Sequence, residues 1–560
     1  STAGGYDTAI GDSVLKANTS GNYNTGVGAS ALAANTTASD NTAVGYASLA
    51  ANTTGTKNTV VGKDAGLAIT TGDQNTALGA RSLQAATTAD HNTAIGEAAL
   101  YANTSGHSGV AVGSQALAAN TTGVENVAVG FTSLDANTTG SYNTAVGTDS
   151  MSANTTGQEN VSVGWNSLDA NTTGSYNVAI GASALGVNTT GESNVCIGYN
   201  AGDTITTGNA NTGLGAGALG ATTTAGNNVA IGFEALGANT TGASNTAVGR
   251  YALDAVTTVS SLVGIGSNAL GANTTGVHNV AVGTDAGLSV STGSYNTAIG
   301  NFALDANSSS SFNTAIGYGA LTTNGGADNT AVGYLAMEDC SAGHSNVAIG
   351  VSALGNLTTG NTNIVIGEDA GDAMTTASGN VIIGHSAAVH DVNFATGSDC
   401  IIIGAYSDTS STDASQQVVI GQNLTSKGNT TTFVTGVPYN GNNQAAWETT
   451  SDERIKKNIS DNSTGLSEIN QIRVRNFEYR TPEEVTELPS HAAVDSQGIQ
   501  VGVIAQEIET ILPDMVNVES TGVKAVSTNN LTWYLVNAIQ ELSAKVEELE
   551  SQPKCKCQGD

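Results

Sequence analysis

Apolar and polar positions cycle along most of the chain with a short, fixed period. An apolar residue followed by glycine recurs at Gly11, Gly28, Gly45, Gly62 and Gly79, and the spacing of 17 persists to Gly317. One interval of 16 and one of 20 then lead through Gly333, Gly384 and Gly404 to Gly421, which makes 25 units of the form Asn-Thr-Ala-Val-Gly-x-x-Ala-Leu-x-Ala-Asn-Thr-Thr-Gly-x-x. In the unit from Asn41 to Lys57, Thr42-Ala43-Val44 has the period-two pattern of a strand. Gly45 permits a bend, and Ala47 and Leu49 form a second short apolar segment. Asn52-Thr53-Thr54-Gly55 is turn chemistry, because Asn and Gly tolerate positive φ. Two strands and two turns bring the chain once around, so each unit is expected to be one coil of a parallel β-roll with Val44 and Leu49 as its substantial core residues. Glycine in every unit and the recurring Asn-Thr-Thr turns exclude a helical repeat. At roughly 4.8 Å per coil the 25 units predict a rod on the order of 115 Å long.

Stacking such coils sets like residues above one another, so Asn35, Asn52, Asn120, Asn137, Asn154 and Asn171 are expected in ladders whose amides bond along the axis. These asparagines also sit in Asn-x-Thr sequons, but turn formation already accounts for them. A coil with so small a core leaves apolar faces open, which predicts association of chains. Toward the end of the repeats the strands become apolar throughout, as in Ile364-Val365-Ile366, Val381-Ile382-Ile383, Ile401-Ile402-Ile403 and Val418-Val419-Ile420. Burial on both faces is expected there, locking a trimer.

The period is lost after Gly421. In the polar stretch that follows, Phe433, Tyr439 and Trp447 stand out as aromatics able either to cap the last coil or to stack on the sugar rings of a receptor. From Ser451 glycine thins out and basic residues appear. Gly502 to Glu509, ending at Leu512-Pro513, reads as a strand running into a helix that stops before proline. Leu535, Ile539, Leu542, Val546 and Leu549 follow the 4, 3, 4, 3 spacing of a coiled coil. The expected fold is therefore mainly β: a trimeric parallel β-solenoid shaft over residues 1–425, a capping or linker segment over 426–450, and a small α+β domain over 451–560 ending in a coiled-coil helix.

Composition fits a thin, extended core: 70 of the 560 residues are glycine, 4% are aromatic and 11% charged. The formal net charge is −31, with 6 Lys/Arg against 29 Asp/Glu up to residue 450 and 10 against 18 after it. Such acidity opposes binding to nucleic acid, whose affinity comes largely from Lys and Arg displacing counterions. Five scattered cysteines make no disulfide framework, and Cys555-Lys556-Cys557 alone is a weak metal signal. No motif calls for a cofactor or a metal. No run of about 18 apolar residues suits membrane insertion, and Ser1 opens beside a repeat without an initiating methionine, so upstream sequence is expected.

The repeat resembles the head domains of trimeric bacterial adhesins and, more closely, the Asn-Thr-Ala-Ile-Gly repeats of tail-fibre proteins. Ser451-Asp452-Glu453-Arg454-Ile455-Lys456-Lys457-Asn458-Ile459, then Gly502 to Glu509, then Leu531 to Leu542, resemble the intramolecular chaperone domain of endosialidase-type phage tail spikes and fibres. That resemblance implies a domain that trimerises, templates folding of the preceding β-structure and then cuts itself off with a Ser-Lys dyad, here Ser451 and Lys456. It places the cut between Ser451 and Asp452. A serine attacking its own carbonyl would close a four-membered ring, whereas attack on the Thr450 carbonyl is an N-to-O shift, so either side of Ser451 stays open.

Three functions follow as expectations. The first is a virion tail fibre, extracellular, with tail or baseplate proteins and a host surface receptor, including glycans, as partners. The second is a bacterial surface adhesin or filament. The third, an enzyme on surface polysaccharide, lacks an evident carboxylate pair in the repeats, where residues such as Asp135 and Asp169 fall at variable positions.

Overall fold

The computed structural model describes residues 5–426, 432–434, 458–481, 484–487, 497–518, 522–528 and 530–552. The chain divides into two compact units, Ser1–Gly343 and His344–Asp560.

In the first unit a three-residue strand recurs once per coil from Thr8–Ile10 to Thr330–Val332. Each strand pairs in parallel with the next at matched positions, for example Thr42↔Thr59, Ala43↔Val60 and Val44↔Val61. The parallel solenoid and its 17-residue coil are as the spacing predicts. The core is not. Ala43 and Leu49 are fully buried, while Thr42 and Val44 lie half-exposed on the outer face. The middle residue of so short a strand is the one that points inward, and the interior is narrow enough that alanine fills it in most coils.

The second apolar segment also departs from expectation, being a run of turns with φ of 53° at Ala47 and 52° at Leu49. It still bonds along the axis: the Leu49 N–H donates to the Ala65 carbonyl at 3.0 Å and the Ala51 N–H to the Leu67 carbonyl at 3.2 Å. A left-handed leucine costs about 1–2 kcal/mol. Full burial of its side chain returns about 1.5–3 kcal/mol, so the conformation is sustained by the core that it fills. Gly45, with φ of 135°, answers a different need: a Cβ there would stand 2.4 Å from the Gly62 carbonyl oxygen of the next coil.

Two asparagine ladders line the interior. The expected one runs through the turn, where Asn52 Nδ2 donates to Asn35 Oδ1 at 2.9 Å and to the Gly55 carbonyl at 3.0 Å. A second, unforeseen, uses the asparagine before each strand: the Asn58 N–H donates to Asn41 Oδ1 at 2.9 Å, and its side chain donates to the Gly72 carbonyl at 2.9 Å. Both satisfy buried turn carbonyls that no strand reaches. The 16-residue unit loses its residue from the turn around Gly325, and strand pairing is kept, Thr314 opposite Thr330.

The second unit holds further coils, from Val347–Ile349 to Val418–Ile420. Only the middle residues of the fully apolar strands, Val365, Ile382, Ile402 and Val419, are buried, and Ile364 and Ile401 remain 44% and 38% exposed. Within one chain these strands are thus one-sided, like the others. The 20-residue unit adds its three residues between Ala388 and Phe394, again without disturbing the strands, since Val381 pairs with Ile401. Thr432–Val434 forms one more strand, with Phe433 opposite Val419.

The same unit contains the α+β elements. Arg475–Phe477 pairs antiparallel with Gln500–Gly502, helix Ala505–Ile511 follows and stops before Pro513, and Val516–Val518 pairs with Lys524–Val526. The terminal helix spans Leu531–Ser551. Ile508, Leu512, Met515 and Tyr534 make the core, with Ile469, Ile472 and Val526 packed against it. No helix among the described residues is long and apolar enough to cross a membrane.

Candidate functional site

Thr450, Ser451, Asp452 and Lys456, with Tyr439 and Trp447, lie outside the described residues; Phe433 is described as backbone only. What the structure defines is the region that follows residue 457. Asn537 Nδ2 on the terminal helix donates to the Asn462 and Thr464 carbonyls at 3.0 and 3.1 Å, and Glu541 Oε2 accepts the Leu466 N–H at 3.2 Å. The segment a few residues beyond Lys456 is therefore tied to the first half of the helix. Arg475 grips Glu507 through two nitrogens at 2.6 and 3.2 Å, which holds the Glu507 carboxyl below its ordinary range. The Tyr534 hydroxyl donates to Asp514, lowering that carboxyl likewise.

The helix itself is two-sided in a telling way. Tyr534 and Ala538 are buried, but the heptad residues Leu535, Ile539, Leu542, Val546 and Leu549 are 41–67% exposed. A complete apolar seam faces solvent in the single chain, as the spacing predicts for a coiled-coil strand awaiting partners.

The first unit carries surface chemistry that the linear sequence conceals. Phe131, Trp165, Tyr199 and Phe233 follow the strand glycine in every second coil, and all are about half-exposed. Tyr295 and Phe312 stack in the column before the strand at 5.1 Å, as do Tyr6 and Tyr23 at 5.2 Å. A groove of about 460 Å³ is lined by Asn200, Asp203, Glu234 and Asp254, and opened by Gly217, Gly220 and Gly237. Burial pushes the Asp203 and Asp254 carboxyls up. Asp135 is raised the same way, with further help from the charges of Asp149 and Asp169. Aligning the units in 17-residue columns would have exposed both features, because residues distant in sequence become neighbours only once the coils are stacked.

Cys196, Cys340 and Cys400 are buried and free; desolvation pushes the Cys196 thiol up to about 12. They serve as small core residues.

Comparison with known proteins finds a family match that falls within the second unit. Residues 451–517 match the family described as chaperone of endosialidase. Over 108 residues the chain is 33% identical to a "Probable tail fiber protein" of Escherichia phage Phieco32, a stretch covering 18% of this chain and 13% of that relative. The chain thus matches a small part of the relative's length, and its C-terminal region is similar to the endosialidase chaperones.

Proposed function

We propose that the protein is a tail fibre of a phage virion, in which residues 1–425 form the shaft, 426–450 a capping segment and 451–560 an intramolecular chaperone that brings three chains together. The match of residues 451–517 to the endosialidase chaperones carries this reading, and the tail-fibre relative supports it. The open seam of the terminal helix and the outward rows of Val and Ile on the strands are surfaces that partner chains would cover. The exposed aromatics of the shaft supply stacking platforms for a host-surface glycan, in addition to Phe433, Tyr439 and Trp447. Rods projecting from a virion tail in electron micrographs labelled against the shaft are expected; labelling confined to a bacterial surface would favour the adhesin reading instead.

Self-cleavage belongs to the same proposal. Lys456, in its neutral form, takes the proton of the Ser451 hydroxyl, and Oγ adds to the Thr450 carbonyl carbon. The Thr450–Ser451 C–N bond breaks as the proton passes to the leaving amine, and water then hydrolyses the ester. Ser451→Ala is expected to leave a full-length band on a denaturing gel where the natural chain gives two. A released fragment beginning at Asp452 would move the cut to the other side of Ser451, and a natural chain that stays full length would remove the activity altogether.

A further inference from the structure

The 20-residue unit between Gly384 and Gly404 is the one lengthened coil of the shaft, and its extra residues fall where His390 and Asp391 pass over Asp408 of the next coil. The ligand-capable atoms of His390, Asp391 and Asp408 all lie within 4.8 Å of one another. Asp408 is fully buried. One of its oxygens, Oδ2, accepts the N–H groups of Asp391 at 2.5 Å and Val392 at 3.3 Å; the other, Oδ1, is buried with no hydrogen-bond partner. A buried carboxylate oxygen left so is costly if the group stays charged and uncompensated. Desolvation accordingly pushes the Asp408 carboxyl up to about 6.

The surrounding groups are held in place. Asp391 Oδ1 lies 3.2 Å from His390 Nδ1, and its Oδ2 accepts the Thr425 hydroxyl at 3.0 Å. The His390 ring meets the Tyr406 ring edge-on at 5.2 Å. One imidazole and two carboxylates, one of them fixed by backbone N–H groups, make a donor set suited to a borderline divalent cation, with a place left for water or a fourth ligand. The orienting bonds to Asp408 and Asp391 are those that a second shell supplies in such sites.

We propose that His390, Asp391 and Asp408 bind a divalent transition-metal ion, zinc being the representative case, and that this ion clips the lengthened loop onto the coil below it. Here the repeating asparagine ladder gives way: Cys400 takes the asparagine's place, its N–H donating to Asn380 Oδ1 at 2.9 Å, and Gln417 stands in the next coil. The metal would replace side-chain bonding that coils with a pre-strand asparagine obtain from the ladder, as at Asn363 and Asn380. The neighbouring group Glu368, Asp369 and His385 has no buried, unpartnered oxygen and is not part of the proposal.

The test uses the full chain carrying Cys555→Ser and Cys557→Ser, so that the tail thiols contribute nothing, stripped with chelator and titrated with zinc chloride. Bound zinc is counted by elemental analysis after dialysis, and unfolding is followed with and without zinc. The expected result is about one zinc per chain and a zinc-dependent rise in the unfolding temperature. Both are lost in Asp408→Asn, and binding is weakened at least about tenfold in His390→Gln. His390 is exposed, so that second variant separates loss of a ligand from loss of folding. Zinc binding equal in the parent and both variants, no binding in the parent, or binding of calcium in preference to zinc would each overturn the proposal.

Discussion

In a shaft coil, the turn asparagine meets a copy of itself one coil away wherever the ladder runs. Asn154 Nδ2 donates to Asn137 Oδ1 and Asn171 Nδ2 donates to Asn154 Oδ1, both at 2.9 Å. The terminal helix Leu531–Ser551 does the reverse. Its polar contacts are particular, as with Asn537 on the Asn462 carbonyl, while its apolar seam stays open. The first arrangement can be extended coil by coil, but it carries no information on which coil should face which. The second is incomplete alone, but its sequence is unique. A shaft of interchangeable units therefore gains from a partner whose pairing has a single solution, since non-local parallel stacking is slow and open to slipped registers.

The sharpest way to break this comparison is to remove residues 451–560. Sedimentation of the truncated shaft is expected to show aggregates, and soluble trimers would mean that the coils set their own register. A smaller effect is expected from Gly164→Ala, at a φ of 142° where a Cβ would lie 2.5 Å from the Gly181 carbonyl oxygen. Denaturant unfolding should show a loss of about 3 kcal/mol, placed in the shaft rather than in the helical region. Asn154→Ala should cost about 2 kcal/mol, because its ladder neighbours lose a buried partner. Asn154→Ile should cost less, because Ile69 and Ile205 already occupy that column fully buried; an equal loss would show that filling space does not substitute for the amide. The smallest effect is expected at Cys196, whose buried thiol should react with alkylating reagents only once the coil unfolds.

The glycine period made the coil legible, because the close passage of Gly45 and Gly62 admits no other residue. Heptad spacing and the Leu512-Pro513 stop likewise gave the terminal helix and the one before it. Hydrophobicity favours Val44 over Ala43 as the inward residue, whereas in a three-residue strand position decides. Nothing in a leucine announces the positive φ of Leu49; that conformation is imposed by the coil closing around it. Of the candidate site, Ser451 and Lys456 rest on family resemblance alone and lie outside the described residues, and the groove at Asp203 is hidden in the linear sequence because glycines from two successive coils have to align before it opens. Asp408 was hidden for a similar reason: its neighbours come from another turn of the chain.

The strand glycines have one more consequence. Each coil presents to the next the same surface that it received from the one before, so a whole 17-residue unit can be gained or lost without altering the surroundings of any other. The gene can therefore lengthen or shorten the solenoid in fixed increments of roughly 4.8 Å. For the proposed tail fibre, reach toward a host would then evolve by copy number, with no new packing problem to solve at each step.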